Sequence, residues 1–327
     1  MFQAEKATVL NFYQALQDGG YVDNIALQRH TSENYQWRGY HPFGEFERYD
    51  VMDGFWVPLA TALSHLQRRQ DVFFAGANEM DGFSSHWVAS MGHMIGLFDK
   101  PWLGIRPTHK ITFLRYAEFH RIENGLLAQS AMYFDIPHLM AQAGQSPFSQ
   151  QTGQHIVQPG PASHDGLLFE QQDAKEGKAT LACINAMIQD LGQWQNALPL
   201  EDELRLTWHE DMLWWGPEGI GSSYTIPRYA EQHSRPFRQA FGNRSKTRHL
   251  CRMAEGQYGG FFGWPNFSAT LDGSFMGREP THQMGEFRVI DIYRRRGNKL
   301  AENWVFIDLP YFWKQQGWDL LPTTSAG

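Results

Sequence analysis

The sequence has little cysteine, fewer basic than acidic residues, and no long apolar run. Its two cysteines, Cys183 and Cys251, are too few for a disulfide framework or a cysteine-based zinc site. Acidic residues number 35 against 28 basic ones, and the net charge of −7 argues against nucleic-acid binding. No apolar segment approaches the roughly 18–20 residues of a membrane helix, and no signal-peptide pattern is visible. We therefore expect a cytoplasmic protein with no nucleic-acid partner and no membrane partner.

Aromatic residues are abundant instead. They make up 14% of the 327 residues, including 12 Trp and 23 Phe. Such side chains bury large areas and often line ligand cavities, although large cores alone also account for them.

An internal repeat is the most informative pattern. Residues Lys6 to Asp18 resemble Lys178 to Asp190 at an offset of 172. From Gly104 onward the offset is 173 and holds without a gap for about forty positions. The matched pairs are Gly104 with Gly277, Pro107 with Pro280, Arg121 with Arg294, Asp135 with Asp308, Pro137 with Pro310 and Gly144 with Gly317. We infer a tandem duplication, since chance does not preserve one register over such a length.

The repeat sets the domain boundaries. We expect one domain over residues 1–145, a polar linker over 146–173, and a second domain over 174–327. The linker contains Pro159-Gly160-Pro161, a strong breaker, and is predicted to be an exposed connection or loose flap.

Each copy begins with helical spacing and continues as strands. Val9, Phe12, Tyr13 and Leu16 predict a first helix, and residues 55–69 a second, with Pro236 to Phe241 as a shorter counterpart. Strands are predicted over 86–94, 110–122 and 126–135, with a hairpin turn at Asn124-Gly125. Helices followed by a meander of strands indicate an α+β fold: a curved antiparallel sheet packed on N-terminal helices, built twice.

Residues 104–144 resemble the sequence pattern of a known family. Gly104, Pro107-Thr108, a strand ending in Arg121, then Asp135 and Gln142-Ala143-Gly144 resemble the SnoaL-like polyketide cyclases of the NTF2-like superfamily. Residues 277–317 repeat the pattern. The resemblance implies tandem cone-shaped NTF2-like domains. It also implies cofactor-free, metal-free acid/base chemistry of the aldol or isomerase type.

The chain departs from the family at the reacting positions. The family's acid/base aspartate corresponds to Met132 and Val305, which cannot move a proton. A family histidine on the preceding strand corresponds to Glu118 and Asp291. A proton-transfer site rebuilt around Glu118 or Asp291 is therefore the catalytic hypothesis, with His120 sharing the face of Glu118 as a relay.

Each candidate residue also has a purely structural interpretation. Glu118 and Asp291 could instead form salt bridges to an arginine such as Arg115 or Arg288. Asp135 and Asp308 are predicted mainly as caps of the C-terminal helices. No metal-ligand spacing appears, so no metal is expected, and the resemblance implies that no cofactor is needed.

The leading functional hypothesis is a cyclase-like enzyme acting on a small to medium apolar or aromatic ligand in the cone cavity. The alternative is a non-catalytic binding protein that kept the fold, and a third possibility has one active copy and one scaffold.

The two copies are expected to pair as an intramolecular pseudo-dimer, with homo-oligomerisation left open. The residues expected to line the ligand cavities are Trp37, Trp56, Trp87, Met132, Trp214, Tyr224 and Val305.

Overall fold

The computed structural model describes residues 1–191 and 198–321. Its first half contains a helix-rich start, six strands and a short final helix. In chain order these are α1 (Gln3–Asp18), α2 (Ile25–His30), β1 (Thr31–Gly39), β2 (Gly44–Glu47), a π-helical turn (Met52–Trp56), α3 (Val57–Ala62), β3 (Leu63–Ala77), a 3-10 turn (Glu79–Asp81), β4 (His86–Phe98), β5 (Ile111–Glu123), β6 (Leu126–Phe134) and α4 (Ile136–Gln142).

The second half follows the same plan. Its elements are α5 (Ala174–Leu191), α6 (Leu200–Thr207), β7 (Trp208–Trp215), β8 (Ser222–Tyr224), α7 (Ile226–Tyr229), a π-helical turn (Ala230–Ser234), α8 (Arg235–Ala240), β9 (Phe241–Gly242), β10 (Cys251–Glu255), β11 (Tyr258–Leu271), β12 (Met284–Arg296), β13 (Lys299–Ile307) and α9 (Leu309–Gln315). The last two strands and the last helix begin and end 173 residues after β5, β6 and α4, for example 284 − 111 = 173.

The two curved sheets share one strand order. The first runs β2-β1-β6-β5-β4-β3, and the second runs β8-β7-β13-β12-β11-β10, with β9 also paired to β11. The fold class is α+β, as the sequence predicts. Each sheet is mainly antiparallel but contains one parallel pair, β1 with β6 and β7 with β13. The paired strands are far apart in sequence, with β2 to β5 between β1 and β6 and β8 to β12 between β7 and β13, and parallel neighbours require such a long connection in place of a hairpin.

The predicted second helix is shorter than expected. The pattern over residues 55–69 suggests a helix, whereas α3 ends at Ala62 and β3 begins at Leu63. Burial alternates from Leu63 to Arg69, which is the period of a strand. Pairing with β4 supplies the backbone hydrogen bonds, so tertiary context overrides the local helical preference.

The turns between the last strands follow their sequence signals. Asn124 and Gly125 both have positive φ, 51° and 76°, in the tight hairpin between β5 and β6. Gly297 has φ of 60° at the equivalent turn between β12 and β13.

The outer faces of the two sheets pack against each other. Phe262 of β11 contacts Trp87 and Phe119 of the first sheet, each with ring centroids 5.4 Å apart. Gly260 lies beside Phe119, where a Cβ atom would come within 3.3 Å of its ring. Burying this aromatic surface stabilises the pairing of the two halves through the hydrophobic effect.

Matched polar contacts cross the same junction. Asp135 accepts from His138 N (3.1 Å), which caps α4, and its second oxygen accepts from Glu218 N of the other half (3.0 Å). Asp308 caps α9 through Tyr311 N (3.1 Å) and accepts from His41 N across the junction (2.9 Å). The predicted cap role is present in both halves, and each cap also ties the halves together.

The segment 146–173 is docked rather than loose. Gly166 O and Leu168 N form hydrogen bonds with Phe73 of β3, each 2.8 Å long, and Gln154 pairs with Ser222 of β8. These backbone bonds anchor the segment to both sheets, which its Gly, Pro and Gln content does not indicate. Within the described residues, no helix is long and apolar enough to cross a membrane.

Candidate functional site

The second half encloses a cavity between its sheet and its helices. Its volume is about 140 Å³, close to the roughly 150 Å³ of an engineered apolar cavity that accommodates benzene. Aromatic side chains dominate the wall, namely Trp208, Trp214, Tyr229, Phe237, Phe261, Phe267, Phe287 and Tyr293. Such a wall suits a small ring-containing or apolar ligand.

Asp291 is the carboxylate in this wall. It lies in the middle of β12, paired directly with Phe261 of β11 and Val305 of β13. Its exposure is 8%, and Asn303 Nδ2 of β13 donates to its Oδ1 at 3.1 Å. Both Asp291 and Val305 line the cavity. A carboxylate is therefore present in the chamber, one strand away from the position where the resemblance places the family aspartate.

Burial raises the pKa of Asp291 to about 7, against the opposing hydrogen bonds from Asn303 and Tyr293. No ion pair to Asp291 occurs among the described residues. A carboxyl group that is half protonated near neutral pH can both take and return a proton.

Asp308 has a similarly raised pKa, about 7, also because of burial. Its two oxygens already accept hydrogen bonds from backbone N–H groups. Asp308 therefore serves as a helix cap despite its raised pKa. Location in the cavity is what distinguishes Asp291.

Two neutral imidazoles also line the cavity, whose other polar lining residues include Asn266, Arg238 and Arg244. His233 stacks on Trp214 with ring centroids 4.0 Å apart, and desolvation lowers its pKa to about 3. His249 stacks on Phe261, also at 4.0 Å, and desolvation, aided by neighbouring arginines, lowers its pKa to about 3. Both rings are therefore uncharged at neutral pH and present hydrogen-bonding edges without competing for the proton of Asp291.

In the first half, Glu118 is held by an ion pair and by hydrogen bonds from neighbouring side chains. Glu118 is 1% exposed and forms an ion pair with Arg68 of β3. Tyr13 of α1 donates to Glu118 Oε2 at 2.7 Å, and the Tyr13 hydroxyl also bonds His120 Nε2 at 2.8 Å. The Arg68 guanidinium lies 3.8 Å from the centre of the Tyr13 ring. Glu118 and His120 do share a face, and the salt bridge to Glu118 comes from Arg68 rather than from Arg115 or Arg288.

Burial alone would raise the pKa of Glu118, but Arg68, His120 and Tyr13 together lower it to about 2. A carboxylate this acidic is a poor base near neutral pH. The equivalent positions therefore differ electrostatically: Glu118 is compensated and ionised, whereas Asp291 is desolvated and lacks a charged partner among the described residues.

The expected ligand-contacting residues occupy different environments. Trp214 and Val305 line the second-half cavity. Trp37 stacks between Phe46 and Phe55 in the first core, and Trp56 stacks on Tyr21 at 5.4 Å. The remaining three are Trp87 at the junction of the sheets, Met132 fully buried beside Glu118, and Tyr224 with 55% exposure on the edge strand β8.

The structure brings together a second polar cluster that the sequence analysis misses. His138 of α4, His155 of the linker and Glu218 of the β7–β8 loop offer ligand atoms within 4.8 Å of one another. Burial, reinforced by Asp135, raises the pKa of Glu218, whose Oε2 lies 2.5 Å from His155 Nδ1. Their separation along the chain leaves no spacing signal, and only the docked linker assembles them.

The cavity also contains residues that no sequence motif singles out. Asn303, Tyr293, His233 and His249 come from strands, a π-helical turn and a loop. Alternation along β12 places Tyr293 on the face of Asp291, and this pattern could have identified it. The positions of His233 and His249 depend on helix and loop packing.

Comparison with known proteins supports the family resemblance for part of the chain. Residues 233–316 match the sequence model of the SnoaL-like polyketide cyclase family. This segment contains β10 to β13 and most of the cavity wall, including Asp291. No curated protein matches the chain.

Similar solved structures each cover less than half of this chain. A candidate SnoaL-like polyketide cyclase from Jannaschia sp. CCS1 is 14% identical, with TM-score 0.35, covering 43% of this chain and 92% of its own. AclR, a candidate hydroxylase from Streptomyces galilaeus, is 18% identical, with TM-score 0.35 and coverages of 43% and 96%. IdmH, a candidate polyketide cyclase from Streptomyces antibioticus, is 16% identical, with TM-score 0.35 and coverages of 42% and 99%.

Proposed function

We propose that the second half is a cofactor-free acid/base site in which Asp291 carries the proton, and that the first half serves as a scaffold. The observation that supports this most strongly is a desolvated carboxyl group in the wall of an aromatic cavity. The proposed substrate is a small cyclic or aromatic compound with an acidic C–H next to a carbonyl group.

The proposed step uses only residues in the wall. Asp291, in its ionised form, takes the acidic proton from carbon, and the electron pair moves to the carbonyl oxygen as an enolate. The resulting carboxylic acid then returns the proton to the same carbon or, where the enolate carbon has added to a second carbonyl group of the substrate, to the alkoxide oxygen that this addition creates. Asn303 donates to Asp291 Oδ1 and fixes the orientation of the carboxyl group.

The first half is assigned the scaffold role because Glu118 is already satisfied. Tyr13 and Arg68 both bond to Glu118 Oε2, and Arg68 Nη2 also lies 3.4 Å from Oε1, so hydrogen-bond donors already meet both carboxylate oxygens. Removing Arg68 or Tyr13 to free the carboxylate would leave buried polar groups without partners, which is costly.

Deuterium exchange into generic carbonyl compounds tests the proposed proton transfer. Small cyclic and aromatic ketones, with cyclohexanone and acetophenone as probes, are incubated with the protein in D₂O and followed by NMR. Wild type should accelerate exchange of the hydrogen next to the carbonyl. Asp291→Asn should reduce that acceleration at least about 100-fold, the usual contribution of a general base.

Asp272→Asn is the matched control, since it makes the same change at an exposed carboxylate of the same half. If both variants retain the wild-type exchange rate, Asp291 is not the proton carrier.

The binding-protein alternative rests on Val305, an apolar residue where the resemblance places the family aspartate. It predicts that native mass spectrometry finds the same copurifying ligand in wild type and Asp291→Asn, with no exchange by either. Ligand retained by both but turnover lost only in the variant would favour the enzyme.

A further inference from the structure

The polar cluster at the junction of the two halves has no part in the proposed acid/base chemistry. His138, His155 and Glu218 belong to the first half, the linker and the second half, and their ligand atoms lie within 4.8 Å of one another. The ring centroids of the two histidines are 4.9 Å apart. Two imidazoles and a carboxylate form a donor set that divalent transition metals favour.

One nitrogen in this cluster is buried without a partner. His138 is 3% exposed, and its Nε2 makes no hydrogen bond. Its other nitrogen, Nδ1, accepts from Gln142 Nε2 at 3.1 Å, and the same amide donates to Phe113 O at 2.8 Å. A buried polar atom without a partner is unfavourable, and a bound ion would satisfy it.

Coordination through Nε2 would place the His138 ring proton on Nδ1. Gln142 would then give up its bond to the ring and keep its bond to Phe113, and the Nδ1–H would lose its present partner. That loss is small beside the affinity of a three-ligand metal site.

The other two ligands combine a fixed position with access from solvent. Glu218 is 6% exposed, and its backbone N–H bonds Asp135 at 3.0 Å, which fixes the loop. His155 has 41% side-chain exposure, which gives an ion a route from solvent. Its Nδ1 lies 2.5 Å from Glu218 Oε2, a hydrogen-bond distance. A small outward turn of His155 would bring both atoms to the roughly 3.3 Å separation of two ligands on one tetrahedral ion.

The surrounding charge is compatible with a cation. Arg115 lies near this cluster, and it pairs with Asp135 at 3.5 Å and donates to backbone carbonyls of the second half. Asp135 and these carbonyl groups therefore offset the charge of Arg115, and Glu218 supplies the negative charge of the metal site.

We propose that His138, His155 and Glu218 bind one divalent transition-metal ion that links the linker to both halves of the protein. The fourth position would be taken by solvent through the side open at His155. The sequence predicts no metal because the three ligands are 17 and 63 residues apart, 155 − 138 and 218 − 155, outside the short spacings of metal motifs.

Metal titration of the full chain tests this site. Protein stripped with a chelator is titrated with Zn²⁺ by calorimetry and with Co²⁺ by visible absorption. Wild type should bind one equivalent, with the strong absorption of four-coordinate Co²⁺. His155→Ala should weaken binding at least about 100-fold, because it removes a direct ligand and loss of outer-shell partners alone typically costs 10–100-fold.

His138→Gln is a second variant that removes a ligand and should also weaken binding. Unfolding temperatures equal to that of wild type, measured in chelator, would show that both variants are folded. His109→Ala and His282→Ala are matched controls, since each removes an exposed histidine lying 3.4–3.6 Å from an aspartate. They should bind the ion as wild type does. Asp291→Asn should also bind normally, which separates this site from the proposed catalytic one. Absence of one-equivalent binding in wild type, or equal binding by wild type and His155→Ala, would overturn the proposal.

Discussion

Replacing Asp291 by asparagine should stabilise the protein at alkaline pH. The change preserves the shape of the side chain and removes its charge, and the amide oxygen can still accept from Asn303. Most charge-removing substitutions at a buried, paired group destabilise. Here we expect the opposite, because no described cation opposes the buried charge.

The magnitude follows from the perturbed titration. Burial raises the pKa of Asp291 from 3.8 to about 7. Each tenfold change in acidity corresponds to about 1.4 kcal/mol, so ionised Asp291 costs the folded state up to about 4 kcal/mol.

The sign is fixed by proton binding. Between pH 3.8 and about 7 the folded state holds a proton that the unfolded state has released. This contribution to stability is therefore full below pH 3.8 and is lost as pH rises through about 7.

Equilibrium unfolding in urea, followed by tryptophan fluorescence, provides the measurement. Asp291→Asn and wild type should have similar free energies of unfolding at about pH 4. The variant should be more stable by as much as about 4 kcal/mol at about pH 8.5. Asp272→Asn, which alters an exposed carboxylate, should show no such divergence. If Asp291→Asn is no more stable than wild type at the higher pH, the desolvation argument is wrong.

Three further substitutions probe the junction and the first half. Glu118→Gln should destabilise by about 3–5 kcal/mol at neutral pH, because it leaves buried Arg68 without its counter-charge. The stabilisation from Glu118 in wild type should be lost as pH falls from 4.5 to about 2, since its pKa is lowered. Asp135→Ala should cost at least about 2 kcal/mol, since it removes the α4 cap and the partner of buried Arg115. Gly92→Ala should cost about 2 kcal/mol or more, because its Cβ would lie 1.9 Å from a carbonyl oxygen of β3. Urea unfolding measures all three, and a free energy of unfolding equal to that of wild type would contradict the corresponding argument.

The fold was largely predictable because its signals are local and repeated. The constant offset of 173 places β12, β13 and α9 by comparison with β5, β6 and α4, and the structure follows it. The hairpin at Asn124-Gly125 and the caps at Asp135 and Asp308 depend on short-range chemistry. No strand is predicted from the sequence over β3, and its first residues are assigned to a helix instead, because pairing with β4, a long-range contact, decides its conformation.

The candidate site was predictable only in part. Alternation along a strand put Asp291 on one face of β12, but the sequence did not show whether that face was solvated, paired or enclosed. Glu118 has the same place in the pattern and a different environment, because Arg68 reaches it from β3. Such differences arise from side chains that are distant in sequence.

By itself, the sequence determined the repeated α+β architecture, the last strands and final helix of each copy, and the two carboxylates at equivalent strand positions. Periodicity, turns and caps act over a few residues, so they can be read from the chain directly. The tertiary structure decided which carboxylate is compensated by Arg68 and which lies exposed to a cavity. It also decided that the linker brings His155 to His138 and Glu218. Electrostatic environment depends on every neighbour within a few ångströms, and those neighbours are set by packing.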